Sequence, residues 1–293
     1  MSSQPLKLTF NKITNKCVGK PQTIQSPMII MHGLFGNANN NRTMANCILD
    51  IESQTSPNLY RNIYLLNMRN HGTSPKSMAM SYDVMCQDII KFIGDHELHR
   101  PVLVGHSMGG KVGMETVLKE PSLVSGMVVI ENSPVQQPIN TKFIQYIEVL
   151  QAICQDSQIK TVTQAKEKLK LVETNPLISG FLLTMLQRSS GSAGKSINQP
   201  GLTSKLPLDI LKTSLEDGSI SNWGVPDNMK YSGPSLFIKG SKSQYLQEDQ
   251  DLTIIKQYFP RSTLEIISGA GHFVNAERPS ECAHAIARFL AHH

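Results

Sequence analysis

The stretch 101-PVLVGHSMGGKVGMETVLK-119 surrounds Ser107 with glycines at the point where an apolar run gives way to a helical pattern. Gly105 and Gly109 stand two positions before and after the serine, which is the G-x-S-x-G spacing of a nucleophile elbow. In such an elbow a strand reverses directly into a helix, and the serine takes a strained backbone with positive φ. An ordinary glycine turn can also produce this pattern. The strand pattern before it and the helical pattern after it favour a nucleophilic Ser107.

Short apolar segments alternate with helical patterns along most of the chain. The predicted strands are 6-LKLTF-10, 26-SPMIIMH-32, 62-NIYLLN-67, 101-PVLVG-105, 126-GMVVIE-131, 235-SLFIKG-240 and 262-STLEIIS-268. The predicted helices between and after them are 41–52, 83–96, 108–120 and 279–293. The middle strands are apolar throughout, as in parallel strands that are buried on both faces. The alternation predicts an α/β fold with a mostly parallel, doubly wound sheet.

The alternation stops between Pro134 and about Ser232. This segment has helical patterns but no convincing strand, and its Gly/Ser-rich stretch 189-SSGSAGKS-196 predicts a mobile loop. The helical patterns are 142–155, 161–173 and 179–188. We therefore expect residues 135–230 to form a helical cap (lid) over one end of the sheet. Residues 1–134 and 231–293 would form the core.

The composition excludes several classes of protein. Of the 293 residues 40% are hydrophobic and 17% charged, which is typical of a globular protein with a large core. The net charge of +5 includes no Lys/Arg block, which argues against a nucleic-acid partner. The five cysteines are odd in number, widely spaced and without a C-x-x-C. They indicate reduced thiols, and neither a disulfide framework nor a metal site.

The chain shows no targeting or membrane signal. No apolar run approaches the roughly 18 residues that span a bilayer. The segment 1-MSSQPLKLTFNKITNK-16 has no signal-peptide core and no Arg-rich amphipathic stretch. We expect a cytosolic protein, or the mature form of an imported one.

The loop 32-HGLFG-36 follows the second predicted strand. An acyl-transfer site needs two N–H donors aimed at the position where the oxyanion forms. We expect one from Met108, the residue after the nucleophile, and the other from Leu34 in this loop. Alone, the loop would be an ordinary strand-to-loop turn. We expect His32 to organise the loop and not to act as the base.

A serine nucleophile of this kind works in a triad with an acid and a histidine base. In chains with this elbow the order is serine, acid, histidine, so the base should come late in the chain. His272 lies in 268-SGAGHFVNAERP-279, directly after the last predicted strand. His106 lies inside the elbow and His71 lies in the turn 69-RNHGTSP-75. The remaining histidines flank helix ends or lie on the terminal helix. His272 is therefore the predicted base.

The acid has two candidate locations. Glu131 stands at the tip of the strand 126–131, 24 residues after Ser107 (131 − 107). A carboxylate buried after four apolar residues needs a partner, although a strand-end carboxylate can also face solvent. The alternative location follows the strand 235–240, but no carboxylate occurs in 240-GSKSQYL-246. The next carboxylates, at a predicted helix start that favours acidic residues anyway, are Glu248, Asp249 and Asp251. We favour Glu131.

With these motifs the chain resembles the α/β-hydrolases. More narrowly it resembles a group that contains the mitochondrial α/β-hydrolase-domain-11 proteins, bacterial esterases and yeast ethanol acetyltransferases. The motifs that carry this resemblance cover nearly the whole chain. They are 32-HGLFGN-37, 40-NNRT-43, 69-RNHGTSP-75, 104-VGHSMGGKVGM-114, 131-ENSPV-135, 181-FLLTML-186, 207-PLDIL-211, 240-GSKSQY-245 and 269-GAGHFVNAERP-279.

The resemblance implies Ser107 as nucleophile, His272 as base and position 131 as acid. Family members usually carry Asp at position 131 and often carry Asp where this chain has Asn67. Glu131 keeps the charge but adds one methylene. The resemblance also implies a mitochondrial location, no cofactor, and small-molecule esters, thioesters, acyl-CoA and alcohols as partners. Acetyl-CoA would then be an acyl-donor substrate.

The motifs predict a serine esterase or thioesterase for short or medium acyl chains. The resemblance to the yeast members implies that it also acylates alcohols, for example converting acetyl-CoA and ethanol to ethyl acetate. We expect four side chains to contact substrate: His32, Phe35, His106 and Trp223. The fold also hosts lipases, lyases, cofactor-free peroxidases and epoxide hydrolases. A non-catalytic binding protein is a further alternative, but it would more readily have lost Ser107 or His272. The oligomeric state stays open.

Overall fold

The computed structural model describes residues 4–15, 23–56, 58–136, 141–189 and 201–293, and for residues 248 and 249 the backbone alone. Seven strands form the main sheet and four form two small ladders. The strands are β1 (Phe10–Thr14), β2 (Thr23–Ile24), β3 (Met28–Met31), β4 (Leu59–Tyr60), β5 (Asn62–Leu66), β6 (Val102–His106), β7 (Gly126–Ile130), β8 (Leu186–Arg188), β9 (Leu202–Ser204), β10 (Ser235–Gly240) and β11 (Ser262–Ile267).

The main sheet has the order β1-β5-β3-β6-β7-β10-β11. β1 is antiparallel to β5, and the other neighbouring strands of the sheet are parallel. The carboxyl ends of the parallel strands therefore meet at one edge, where the loops after β3, β6, β7, β10 and β11 come together. This confirms the predicted mostly parallel sheet.

Helices cover both faces of the sheet. They are α1 (Arg42–Thr55), α2 (Tyr82–Asp95), α3 (Met108–Lys119), α4 (Thr141–Gln155), α5 (Val162–Leu169), α6 (Pro176–Leu183), α7 (Leu208–Glu216), α8 (Glu248–Tyr258), α9 (Val274–Glu277) and α10 (Pro279–Ala291). Ile29 and Met31 of β3 contribute to one buried cluster with α2 and α3, whereas Met28 and Ile30 contribute to another with α1 and α10. This alternation explains why the strand is apolar at every position.

The first predicted strand is wrong in its position. The ladder begins at Phe10, paired with Leu66, so only the last residue of the predicted segment 6–10 belongs to it. Leu8 is buried, but the N–H of Leu6 donates to Asp88 Oδ1 at 2.6 Å and not to a strand. Before Phe10, the apolar residues Leu6 and Leu8 thus indicate burial and not a place in the ladder.

The segment 135–230 contains the helices α4, α5, α6 and α7, but the expectation that it lacks strands is wrong. β8 and β9 pair antiparallel, with Leu186 opposite Ser204. Their three-residue lengths leave too little alternation for a sequence pattern to detect. Of the stretch predicted as a mobile loop, residues 190–196 lie outside the described residues, and the division into core and cap stays a prediction.

Two further observations concern the cysteine thiols and the search for membrane-spanning helices. The described cysteines Cys47, Cys86, Cys154 and Cys282 are free thiols, and Cys17 lies outside the described residues. Among the described residues, no helix combines the length and the apolar character needed to cross a bilayer.

Candidate active site

Ser107 occupies the tight turn between β6 and α3. Its φ of 52° is positive, as expected for the apex of an elbow. The turn requires glycine on both sides: a Cβ on Gly105 would lie 2.2 Å from the carbonyl oxygen of Gly109, and a Cβ on Gly109 would lie 2.6 Å from that of Met31. The two glycines therefore let the start of α3 lie directly against β6 and β3.

His272 lies in the loop after β11 and contacts both of its predicted partners. Its Nε2 is 3.1 Å from Ser107 Oγ, and its Nδ1 is 3.2 Å from Glu131 Oε2. Nδ1 donates to the carboxylate, so the neutral ring keeps Nε2 free to accept the serine proton. The structure thus brings the three residues into one hydrogen-bonded chain.

The Glu131 carboxylate is completely buried, and both of its oxygens are occupied. Oε1 accepts from the backbone N–H of Gly240 at 2.5 Å, and Oε2 accepts from the Ser243 hydroxyl as well as from His272. Glu131 also has a positive φ of 60°. The main chain and the longer side chain together bring the carboxylate to the imidazole.

Asp251, one of the alternative acids, has other hydrogen-bond partners than the imidazole. Asp251 is buried, but its Oδ2 accepts from Ser133 Oγ at 2.9 Å and from the N–H of Gln247 at 3.0 Å. It therefore stabilises the start of α8 and the loop after β7, without contacting the imidazole. The side chains of Glu248 and Asp249 lie outside the described residues.

Three contacts that fix the site were not predicted from the sequence. The ring of Tyr245 stacks on His272 with centroids 3.8 Å apart and planes 25° apart. His106 Nε2 donates to the backbone carbonyl of His272 at 2.8 Å. Asn132 Nδ2 donates to the carbonyl of Ser107 at 2.9 Å. They hold both the loop that carries the imidazole and the elbow itself.

The expected oxyanion donors are the N–H groups of Leu34, which lines the same cavity as Ser107, and of Met108, the residue after Ser107. Within the described residues neither donates to a protein acceptor. The Met108 N–H also lies at the positive end of α3, where the helix dipole favours negative charge. Both groups therefore lack a protein acceptor, and their binding of an oxyanion stays a prediction.

His32 and His71 fix the loop that carries Leu34. His71 Nε2 accepts the N–H of Phe35 at 3.1 Å, and its Nδ1 donates to the carbonyl of Arg69. His32 Nε2 accepts from the N–H of Met68, and its Nδ1 donates to the carbonyl of Gly33 at 2.7 Å. This agrees with the expectation that His32 organises the loop. The role of His71 was not expected.

His32, His71 and His106 are held in the neutral state. Burial lowers the pKa of His71 to about 4, and burial together with the neighbouring His272 lowers the pKa of His106 to about 3. Burial and the nearby His71 hold the pKa of His32 well below its usual value. Neutral rings keep the acceptor nitrogens that the loop geometry requires.

A cavity of about 510 Å³ opens above Ser107. His32 and His106 line it, as expected for substrate contacts. Its apolar wall comes from the segment 135–230 and the loop after β11, through Phe143, Leu177, Ile178, Phe181 and Phe273. Small-molecule sites commonly have such largely apolar walls.

Two of the expected substrate contacts lie elsewhere. Trp223 is outside the cavity lining, and it packs at 5.8 Å against Tyr258 and under the Lys111 ammonium. Phe35 is buried behind the lining, where its ring meets Phe143 edge to face at 5.7 Å. Their aromatic character serves packing, which a sequence pattern does not distinguish from substrate contact.

No group of three or more His, Cys, Asp or Glu side chains in the described ranges could hold a metal ion.

Comparison with known proteins places this geometry in a family. Residues 26–279 match the family model described as the alpha/beta hydrolase fold. A probable alcohol acetyltransferase of Saccharomyces cerevisiae is 40% identical, over 99% of this chain and 84% of its own length. An sn-1-specific diacylglycerol lipase, ABHD11 of Danio rerio, is 31% identical over 99% of this chain and 84% of its own.

Solved structures agree with the sequence relatives. A marine microorganism esterase superposes with a TM-score of 0.81 at 29% identity, covering 97% of this chain and 99% of its own. E-2-(acetamidomethylene)succinate hydrolase superposes with a TM-score of 0.64 at 18% identity, over 97% and 96% of the two chains, which supports the fold alone. The chain belongs to the α/β hydrolase fold family.

Proposed function

We propose that this protein is a serine-dependent acyl-transfer enzyme that hydrolyses carboxylic esters and thioesters and also acylates small alcohols. The hydrogen-bonded chain from Ser107 Oγ through His272 to Glu131, on the floor of the cavity, carries this proposal. The relatives named as acetyltransferase, lipase and esterase support the same reaction class.

In the first half-reaction Ser107 Oγ attacks the acyl carbonyl carbon while His272 Nε2 takes its proton. The imidazolium that forms is stabilised by Glu131, whose buried carboxylate is held by Gly240 and Ser243. The N–H groups of Leu34 and Met108 bind the oxyanion. His272 then gives the proton to the departing alcohol or thiol, and acyl-Ser107 remains.

In the second half-reaction His272 takes a proton from water or from an alcohol, which attacks the carbonyl carbon of acyl-Ser107. His272 then returns the proton to Ser107 Oγ as the acyl–serine bond breaks, and the acid or the new ester leaves. Hydrolysis and alcohol acylation use the same residues and differ in the molecule that the cavity admits. An apolar wall that includes Phe143, Phe181 and Phe273 favours a small alcohol over water. All reacting groups belong to the chain or the substrates, so the proposed reaction needs no cofactor.

We propose acetyl-CoA as one acyl donor and ethanol as one acceptor, which would make ethyl acetate a product. A relative from Hanseniaspora uvarum, named ethanol acetyltransferase 1, is 30% identical over 94% of this chain and 83% of its own length, which supports this choice. The cavity volume of about 510 Å³ is in the range of small-molecule sites and supports short or medium acyl chains.

The test is an acyl-transfer assay with purified protein. Release of p-nitrophenol from p-nitrophenyl acetate measures acylation, and formation of ethyl acetate from acetyl-CoA and ethanol measures transfer. We expect Ser107→Ala to lose both activities. Ser56→Ala, at an exposed position, is the matched control and should retain them. Absence of both activities in the unmodified protein would favour a non-catalytic binding role.

A series of p-nitrophenyl esters of increasing chain length tests the acyl preference. We expect kcat/KM to peak at short or medium chains and to fall for long ones. A peak at long chains would favour the lipase alternative instead.

A mitochondrial location is also part of the proposal and rests on the family resemblance. Fractionation of eukaryotic cells that express the tagged protein tests it. Recovery in the cytosolic fraction alone would contradict it.

A further inference from the structure

A second pocket, of about 530 Å³, lies at the edge of the sheet opposite Ser107. It is lined by the segments that lead into β6, β7, β10 and β11, four neighbouring strands. Because these strands are parallel, their amino ends meet here, and the active-site loops leave from the other edge. The pocket is therefore separate from the catalytic cavity.

The pocket is strongly cationic. Arg100, Lys230 and Arg261 line it, and no Asp or Glu belongs to its lining. In the part of the chain that the structure describes, none of the three forms an ion pair. The contacts of the two arginines to backbone carbonyls are long, 3.5 Å each. Three uncompensated like charges in one concavity favour an anion.

Buried hydroxyls without partners gather at the same place. The Tyr231 side chain lines the pocket, its residue is 2% exposed, and its hydroxyl has no hydrogen-bond partner. Ser125 Oγ in the lining is likewise unpartnered, and so is Ser262 Oγ of β11, which follows Arg261 in the chain but is outside the lining. Two of the five such side-chain atoms within the described ranges, those of Tyr231 and Ser125, therefore belong to residues of this pocket. Unsatisfied buried hydroxyls are costly, so their concentration in one pocket points to a ligand.

The positive charges of Arg100 and Arg261 act on the Tyr231 phenol. Burial raises the pKa of Tyr231 to about 12, against the opposing effect of the positive charges of Arg100 and Arg261. The phenol stays protonated at neutral pH and can donate a hydrogen bond. Gly233 leaves room for it, since a Cβ at that position would lie 2.2 Å from the Tyr231 hydroxyl oxygen.

We propose that this pocket is a binding site for a phosphate group, free or carried by a small phosphate ester, with Arg100, Lys230 and Arg261 supplying charge and Tyr231 donating a hydrogen bond. Guanidinium groups bind phosphate oxygens through paired, charge-assisted hydrogen bonds, which explains two arginines around one site. The bound molecule would act as an effector or a structural ligand, because the site is remote from Ser107.

Isothermal titration calorimetry tests the site with inorganic phosphate and with glycerol 3-phosphate, at ionic strength matched with sodium chloride. We expect saturable binding of at least one. The variant that carries Arg100→Gln and Arg261→Gln should raise Kd at least about 100-fold, and Tyr231→Phe should raise it about tenfold. Lys76→Gln, an exposed lysine outside the pocket, is the control and should leave Kd unchanged.

The two probes distinguish a site for free phosphate from a site for a phosphate ester. Equal affinity for both identifies a site for free phosphate, and tighter binding of glycerol 3-phosphate identifies a phosphate ester. The proposal is overturned if neither probe binds saturably, or if either the arginine variant or Tyr231→Phe keeps the Kd of the unmodified protein. Hydrolysis of p-nitrophenyl acetate should be equal in all these variants, which shows that they fold.

Discussion

At the residue scale, the arrangement of Glu131, the acid proposed for the triad, has two unusual features. Glu131 stands where members of the resembled group usually have Asp, and its φ is positive. Its Oε2 accepts hydrogen bonds from both Ser243 and His272. The backbone conformation and the hydrogen bond from Ser243 therefore fix the carboxylate beside His272, although the Glu side chain is one methylene longer than Asp.

Removing the charge of this carboxylate should slow the chemical step. We expect Glu131→Gln to lower kcat by a factor on the order of 10³ to 10⁴, because the imidazolium loses its counter-charge and the ring its fixed orientation. KM should change little, since Glu131 does not line the cavity. Steady-state kinetics measure both constants. The control is Glu120→Gln, at an exposed position, and equal activity of the two variants would contradict the assignment.

Ser243 is expected to act as a positioning residue for Glu131. Its loss in Ser243→Ala should lower kcat about tenfold, because one hydrogen bond to the buried carboxylate disappears. Ser243→Thr keeps the hydroxyl and should restore most of the rate. A kcat that is equally low in both variants would indicate a packing role instead.

Sequence patterns pointed to Ser107, His272 and Glu131, which the structure brings into one hydrogen-bonded chain, because elbow spacing, chain order and strand tips are local features. They gave no role to Tyr245 or His71, although the motifs that contain them were recognised. Tyr245 stacks on a ring 27 positions later (272 − 245), and His71 binds an N–H 36 positions earlier. Such contacts depend on how loops meet in space, which periodicity does not encode.

At the element scale, the turn from β6 into α3 depends on the absence of side chains. We expect Gly105→Ala to destabilise the protein by about 2–3 kcal/mol, because its Cβ would meet backbone atoms that cannot move aside. Gly94→Ala is the control: Gly94 is in α2, and a Cβ there meets no atom within 4 Å. It should stabilise by about 0.5–1 kcal/mol. Urea unfolding measures both, and equal effects would refute the steric account.

The long helices and buried parallel strands were predictable, because apolar periodicity and Gly or Pro boundaries mark them. The elements that were misplaced or missed are short or lie at an edge, such as β1 and the β8–β9 pair. Their pairing is chosen by distant partners, for example Leu66 for Phe10. Local propensity alone does not specify such partners.

At the scale of the whole molecule, stability should depend on acidity through the buried histidines. His71 is neutral when folded, with a pKa of about 4 against its ordinary value of 6.5. Below pH 6.5 the unfolded chain binds protons that the folded protein does not. The contribution of His71 is therefore fully present above pH 6.5 and is lost as the pH falls towards 4.

Unfolding measured by urea at several pH values between 7.5 and 4.5 checks this expectation. We expect the free energy of unfolding to fall on acidification, by up to about 1.4 kcal/mol per pH unit for each such histidine. His71→Gln keeps an acceptor for the Phe35 N–H and should flatten the slope. The control His284→Gln changes an exposed histidine and should leave the slope as it is. An unchanged slope in His71→Gln would contradict the account.

The most direct test of the central claim is detection of the acyl-enzyme on Ser107. Rapid mixing with p-nitrophenyl acetate, followed by an acid quench and peptide mass spectrometry, identifies the modified residue. The account predicts one acetyl group per protein on the peptide that contains Ser107, and none in Ser107→Ala. Turnover with no acyl group on Ser107, or an equal acetyl group in Ser107→Ala, would contradict it.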